Sequence, residues 1–448
     1  MTTLALVESN TSGTGRLFAQ AARQRGLQPV LLAADPARYG FAAADGLEIV
    51  SVDTHDEGAV LAACRVLAAG LGLGGVTSSS EYFVEAAAVV AGRLGLAGPR
   101  PDGIRACRNK HAQRVRLQAA GVGIPAFRLA MSVDEAVAAA GALGLPVVVK
   151  PVNGSGSVGV RLCARVEAVA RHAKSLLERT HNERGLPCAR QVLVEELVAG
   201  PEYSVETFGQ TVVGVTAKHL GAPPYFVEVG HDHPAVLSDA ASAAIGRAVV
   251  RALRALDLGW GPAHAELRLT DRGPAIIEVN PRLGGDYIPE LVRLARGVDL
   301  IGATIDLAVG RRPVLEQTAA QHASVRFMVP PRAGVLAGID GLEDAGRLPG
   351  VVDVQLYRRA GDRLRPCGDF RDRAGHAVAV GDTAAAAGAR AAAARDAVRL
   401  AVAPAGHRAG PNDAAAQSAD PGHVGARPAV GPATGRPRKG VSRPCPGL

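Results

Sequence analysis

The sequence predicts an α/β and α+β multidomain fold, and three observations carry that expectation. Its 448 residues exceed what one hydrophobic core organises, so two to four domains are expected. The opening stretch alternates short apolar strands with amphipathic helices, the pattern of a doubly wound parallel sheet. Between about 146 and 282, strands follow one another with few helices and read as antiparallel pairs.

In order, "LALV" (4–7) reads as a buried strand, followed by the loop "ESNTSGTG" and a helix from about Arg16 to Arg25. Strands at 29–34 and 47–52, a helix at 58–70 and a strand–turn–helix at 74–95 complete the opening unit. A helix is expected over 108–122, and another over 131–143, opened by Ser132, Asp134 and Glu135. Strands at 146–150 and 159–163 flank a glycine loop as a hairpin. Strands at 191–198, 202–209, 211–219, 263–270 and 274–282 follow, with a helix near 239–256. From about Ala320 come strands in "SVRFMVP", "VVDVQLYRR" and "HAVAVGD", then an alanine-rich helix over 383–400. No internal repeat is present.

Composition narrows the function. No uncharged apolar run is long enough to span a bilayer, and "MTTLALVESN" does not read as a signal peptide, so a cytoplasmic protein without a membrane partner is expected. Six scattered cysteines (Cys64, Cys107, Cys163, Cys188, Cys367, Cys445) form no CxxC and read as free thiols in a reducing compartment. Half of the net charge of +8 falls after Pro404, in an Ala/Gly/Pro/Arg-rich tail expected to be disordered. With aromatics at 3%, no stacking platform interleaves the basic residues, so nucleic acid is not an expected partner.

Three constellations carry chemistry. In "KPVNGSGSVGV" (150–160), Gly154, Gly156 and Gly159 match a dinucleotide-binding fingerprint, but that motif needs a helix after the loop. Val-Arg-Leu-Cys alternates as a strand instead, so the loop is a hairpin tip. No Gly-Lys-Ser/Thr follows, which excludes a Walker A loop. Such a hairpin can fold over phosphates through its backbone N–H groups, as in protein kinases, although no HRD or DFG motif exists here. On the loop alone, an ordinary exposed turn stays open.

The second constellation joins Glu266 to "IIEVNPRLGGD" twelve residues on. A hairpin at "TDRGP" brings Glu266 opposite Glu278, and Glu278 and Asn280 share a strand face. Two carboxylates and an amide oxygen suit Mg²⁺ bridging phosphates, and Arg282 extends the row if the strand persists past Pro281. The apolar neighbours Ala275, Ile276, Ile277 and Val279 argue against a merely solvated acidic face. The third is "VLVEELVAGPEYSVE", where backbone groups could hold an adenine and carboxylates its ribose; alone it reads equally as a plain hairpin.

Together and in this order, these pieces resemble the ATP-grasp superfamily over roughly residues 1–400: Lys110, Lys150 before the glycine hairpin, the E-E-L-V hinge, and E…E-x-N-P-R. The resemblance implies ATP and Mg²⁺ (or Mn²⁺), two ions, as cofactors. It implies Lys110 and Lys150 on the phosphates, with Ser155, Gly156, Ser157 and Gly159 closing over them. Glu195 and Val198 would hold adenine, Glu202 the ribose, and Glu266, Glu278 and Asn280 the metal. Arg282, with Lys150, is the candidate catalytic group, stabilising the reacting acyl phosphate.

The domain reading is a Rossmann-like pre-ATP-grasp domain (1–105) and an ATP-grasp domain (106–318). The latter divides into a glycine-loop lid (about 125–198) and a metal-site subdomain (about 199–318). A C-terminal subdomain (319–403) and the tail (404–448) follow.

"NPRLGGDYIPELVRLARGVDL" looks most like L-amino-acid ligases and related carboxylate–amine ligases. Biotin carboxylases typically carry Thr where Pro281 stands, and carbamoyl-phosphate synthetases have two such halves. The partners implied are a small-molecule carboxylate and an amine, and a homodimer is compatible with the family. "YFVEVGHDHPAVL" (225–237), either a substrate-facing segment or a surface loop, offers Glu228 and His231; a metal site on His231 and His233 lacks a third ligand in view. A ligase using bicarbonate or another acid, and a non-catalytic ATP-binding module, are the alternatives.

Overall fold

The computed structural model describes residues 2–11 and 14–404. The expected tail beyond Pro404, with Cys445, lies outside them.

The first sheet is parallel, with β1 (Thr2–Val7), β2 (Leu27–Ala33), β3 (Glu48–Ser51) and β4 (Leu73–Thr77) in the order β3-β2-β1-β4. The central strands β1 and β2 are buried on both faces, which is why they read as continuous apolar runs rather than alternating ones. Leu4 and Leu6 point into one core with Phe18, Leu31 and, from far along the chain, Ile301 and Ile305. Ala5 and Val7 point into the other with Val60, Leu61 and Val90. Helix Leu300–Ala308 thus covers one face of the opening sheet.

A second, antiparallel sheet consists of β5 (Phe127–Ala130), β6 (Val147–Pro151), β7 (Arg161–Cys163) and β8 (Val192–Glu196), in the order β5-β8-β6-β7. β6 and β7 pair antiparallel around the glycine loop, as the sequence predicts. Helices Val133–Leu143 and Val166–Leu177 share a core with this sheet. Ser132 caps the first of them, accepting from Glu135 N, while the Glu135 carboxylate accepts from Met131 N.

The remaining strands are β9 (Glu202–Phe208), β10 (Thr211–Leu220), β11 (Glu228–His233), β12 (Pro262–Thr270), β13 (Gly273–Asn280) and β14 (His322–Met328). After them come β15 (Gly334–Asp340), β16 (Val351–Leu356), β17 (Arg363–Leu364), β18 (Gly375–Gly381) and β19 (Arg399–Ala403). Eight form one antiparallel sheet, β13-β12-β9-β10-β11-β14-β18-β16; β17-β15-β19 form a small separate one. Helix Asp239–Ala255 buries Ile245, Val249 and Leu253 with β12 and β13 residues. Each such side chain contributes roughly 1.5–3 kcal/mol.

Four expectations need correction. The helix expected over 108–122 is shorter, Lys110–Ala119, because the Asn109 side chain accepts from Ala112 N and starts it there, and it is preceded by a helix not anticipated from the sequence, Pro101–Arg108. The helix over 383–400 ends at Ala397, and the chain turns into β19 against β15. The alternative that 225–237 is a surface loop falls: β11 sits inside the large sheet between β10 and β14. Its "EVGHDH" lacks the apolar alternation that marks a strand in sequence. Finally, β13 stops at Asn280, so Arg282 stands on the following loop rather than on the strand.

Among the described residues no helix is long and apolar enough to cross a membrane. Cys64, Cys107, Cys163, Cys188 and Cys367 are free thiols.

Candidate active site

A pocket of about 920 Å³, mouth included, opens between the glycine-loop sheet and the eight-stranded sheet. Its walls carry Lys110, Lys150, Ser155, Gly156, Ser157, Glu195, Val198, Glu202, Glu228, Glu266, Glu278, Asn280 and Arg282. Residues separated by up to 172 positions in the chain thereby meet in one space. Two predicted residues are not on its wall. Gly159 lies at the base of the loop, with φ of +75°, packed against Leu176, and its carbonyl accepts from His172. His231 is fully buried behind the pocket, edge-on to Phe327, with Nε2 3.6 Å from the Asp286 carboxylate.

The hairpin register puts Glu266 directly opposite Glu278. A bulge at Ile277 follows, and the carbonyl it frees accepts from Arg114, which also donates to Glu195. Lys150 lies 2.6 Å from the other Glu195 oxygen. Burial opposes ionisation of Glu195, but Arg114 and Lys150 outweigh it and hold its carboxyl below the usual range. Its carboxylate therefore fixes Lys150, and the Val198 carbonyl accepts from Arg268.

Lys218 was not anticipated from the sequence. It is buried on β10, within 3.1 Å of Glu202, 2.7 Å of Glu228 and 3.0 Å of Glu266. Burial opposes its charge, yet three carboxylates raise its pKa well above the ordinary lysine value. His264 bridges Glu206 at 2.6 Å and Glu266 at 3.1 Å; despite burial, those acids push its pKa up to about 10, so both ring nitrogens donate. Lys110 donates to Glu278 at 2.9 Å and to Gly154 O at 2.8 Å.

The glycine loop is gripped at several points. Arg282 donates to Ser155 Oγ, Ser157 Oγ donates to Phe226 O, and Phe370 N donates to Gly156 O. Gly156 has φ of +64°, and a Cβ there would lie 2.6 Å from the Phe370 ring, so this close approach requires glycine. Arg282 also donates to Glu81 at 2.5 Å, a buried carboxylate from the opening domain, and to Leu283 O.

The third ligand missing beside His231 is present, though not with His233. Glu228, His231 and Asp286 offer ligand atoms within 4.8 Å of one another, while His233 pairs with Thr216. Arg373 already bonds both Glu228 and Asp286, at 2.6 and 2.5 Å, and stacks on Phe327. With Lys218 on the other side, cationic charge is supplied there by protein. Burial, with Asp286 nearby, raises the Glu228 pKa to about 7.

Burial lowers His231 and His233 from 6.5 to about 4 each, so the unfolded chain takes up their protons first. Their contribution to stability is complete above about pH 6.5 and is lost as pH falls toward 4. At pH 5 the expected loss is about 2 kcal/mol per histidine. Urea unfolding at pH 7.5 and 5 should show it, and a His231→Gln/His233→Gln variant should show a smaller difference between the two pH values. An unchanged difference would refute the assignment.

An antiparallel loop-bearing sheet over paired acids, lysines and an arginine defines a class, the ATP-dependent ligases that bind nucleotide between two α+β units. Residues 143–290 match the ATP-grasp domain, and residues 326–403 match the L-amino acid ligase C-terminal domain 2. The chain is 43% identical to a Sinorhizobium fredii protein designated uncharacterized protein y4rH, over 84% of this chain and 78% of that one. It is 32% identical to carnosine synthase 1 of Gallus gallus over 78% of this chain, spanning 40% of that longer protein. The crystal structure of L-amino acid ligase from Bacillus licheniformis superposes with a TM-score of 0.76 at 23% identity, covering 90% of this chain and 99% of that one. The chain belongs to the ATP-grasp superfamily, among its carboxylate–amine ligases.

Proposed function

We propose that the protein joins the carboxylate of one amino acid to the amine of a second, converting ATP to ADP and phosphate through an acyl phosphate. The observation that carries this reading is Glu266 facing Glu278 beside Asn280, ringed by Lys110, Lys150, Lys218 and Arg282 under one glycine loop. The carnosine synthase and L-amino acid ligase likenesses support the choice of amino acids.

Three hard oxygen donors from Glu266, Glu278 and Asn280 fit Mg²⁺ or Mn²⁺, with room in the donor set for two ions. When bound, these ions neutralise phosphate charge. Lys110 and Lys150 hold the phosphates from the side of the loop, and Ser155, Gly156 and Ser157 cover them and exclude water. Gly159 is the turn on which that loop pivots. Glu195 orients Lys150, the backbone at Val198 borders the adenine, and Glu202 faces the ribose. The first substrate's carboxylate oxygen attacks the γ-phosphorus as the bond to the β-bridging oxygen breaks, and Arg282 stabilises the transferring phosphoryl group. The amine then attacks the acyl carbon, phosphate leaves, and the amine proton is lost to solvent or to a neighbouring carboxylate. Glu228, with His231 packed behind it, faces the substrates.

A coupled ADP-release screen over amino-acid pairs tests this, with bicarbonate and simple amines as separate arms. ADP should form only when a carboxylate and an amine are both present, alongside a new amide detected by mass. Bicarbonate-dependent turnover, or ATP binding with no turnover in any arm, would overturn it.

A further inference from the structure

A second attachment joins the loop-bearing sheet to the opening domain, apart from the glycine loop. Between helix Val166–Leu177 and β8 the chain doubles back as a short hairpin, with His181 bridged to Pro187 and Cys188 N donating to Thr180 O. The Asn182 side chain ties its tip, accepting from Arg184 N and Leu186 N. From that tip Glu183 and Arg184 both reach the opening domain.

Arg184 enters a cup at the C-terminal ends of β1, β2 and β3. Glu8 is its floor, buried just past β1 in the left-handed region at φ of +51°, with its carboxylate accepting from Ala34 N, Thr54 Oγ1 and Tyr39 Oη. A residue other than glycine keeps such a backbone only where its surroundings hold it, and strain of this kind gathers at switch regions. Arg184 Nη2 donates to the Glu8 carboxylate at 3.3 Å, Ser9 O at 3.4 Å and Tyr39 Oη at 3.2 Å. One nitrogen makes all three bonds, each near the long end of the range, and Nε is buried without a partner. A bidentate pair would hold more tightly, so this seating favours closure yet can reverse.

Three consecutive residues after β4 connect this contact to the nucleotide pocket. Glu81 accepts from Arg282, Tyr82 donates to Glu183, and the Phe83 ring lies 5.7 Å from the Arg184 guanidinium. Arg282 in turn donates to Ser155 of the glycine loop. The loop-bearing sheet is therefore fastened to the opening domain twice, at the glycine loop through Arg282 and at the hairpin through Arg184. β6, β8 and helix Val166–Leu177 share one core, so the sheet moves as a piece and lifting it works against both fastenings. We infer that the hairpin at 180–188 is a latch: with Arg184 seated against Glu8 the nucleotide is enclosed, and it leaves only after Arg184 withdraws. The inference goes beyond the amide-forming reading and holds whichever acceptor is used, because it concerns the nucleotide alone.

The test follows dissociation of N-methylanthraniloyl-ADP from the full chain with Mg²⁺, chased by unlabelled ADP in a stopped-flow instrument. Arg184→Ala should speed dissociation roughly tenfold, about the weight of one hydrogen bond to a charged group, with association within about threefold. Its melting temperature should move little, since Ala34, Thr54 and Tyr39 still satisfy Glu8. A residue that served folding alone would shift melting and leave dissociation unchanged. Arg184→Lys, which keeps a cation in reach of the cup, should recover part of the delay. Arg190→Ala is the control: Arg190 donates to Leu177 O at the base of the hairpin, and its loss should leave dissociation at the parent rate. If circular dichroism shows Arg184→Ala unfolded, Tyr82→Phe replaces it; freeing Glu183 should speed dissociation by roughly threefold. Dissociation within twofold of the parent in the folded variants, or equal acceleration in Arg190→Ala, overturns the latch. The amide-forming reading stands or falls on the ADP-release screen, so the two fail separately.

Discussion

Replacing Glu278 with glutamine is expected to lower amino-acid-dependent ADP release by on the order of 10²-fold or more. Glutamine preserves the shape of the side chain but removes its charge. Glu278 faces Glu266 across the hairpin and partners Lys110, so the change subtracts one anion from a ring whose charges are placed against one another. Lys110 keeps its second partner, Gly154 O, so the variant should fold and its melting temperature should move little. Rates at saturating ATP with raised Mg²⁺ are the measurement. Near-normal ADP release would remove Glu278 from the proposed metal site.

Arg282→Lys should cost roughly 10²–10³-fold in rate, close to the loss seen when one preorganised donor to a developing charge is removed. The positive charge survives, so a role as a mere counter-ion predicts little change. The guanidinium, however, spans Glu81, Ser155 and Leu283 with three separate nitrogens. An ammonium is a point charge that cannot bridge them. ATP affinity, measured by equilibrium binding, should stay within a few-fold, because Lys110 and Lys150 remain. A rate within threefold of the parent would show that Arg282 supplies charge only, or nothing.

The residues that were legible in the sequence share a property: their chemistry and their register lie in one short segment. Glu278 and Asn280 are two apart on a strand, and the "TDRGP" turn fixes Glu266 opposite Glu278. Lys150 immediately precedes its loop. The opening parallel sheet was equally visible, because strands buried on both faces are unbroken apolar runs. β11 was hidden because "EVGHDH", with Val229 as its one apolar side chain, shows no apolar alternation and is held by its neighbours, not by its own pattern. Glu81 and Arg373 reach the site from 201 and 145 positions away from their partners, Arg282 and Glu228, and nothing local marks them. Lys218 left a faint signal, a lone cation at the end of the apolar strand "TVVGVTAKH", and His264 sits two residues from Glu266 on the same face. His231 was expected to face the substrates, but burial places its ring behind the pocket wall, beside Phe327.

The grip on the glycine loop has a temporal consequence. Its tip is tied to Lys110, Arg282, Phe226 and Phe370, and Phe370 belongs to the C-terminal unit rather than to the nucleotide-binding sheets. The ties to Phe226 and Phe370 are worth about 0.5–1.5 kcal/mol each and those from the cations Lys110 and Arg282 about 1.5–3 kcal/mol each, and all four hold the loop tip in place. On the proposed reading, the escape of ADP is then paced by how often the loop tip releases these ties. The C-terminal unit acts as one hand on that clock: changes at Phe370 would retime turnover without touching a group that meets the reacting atoms.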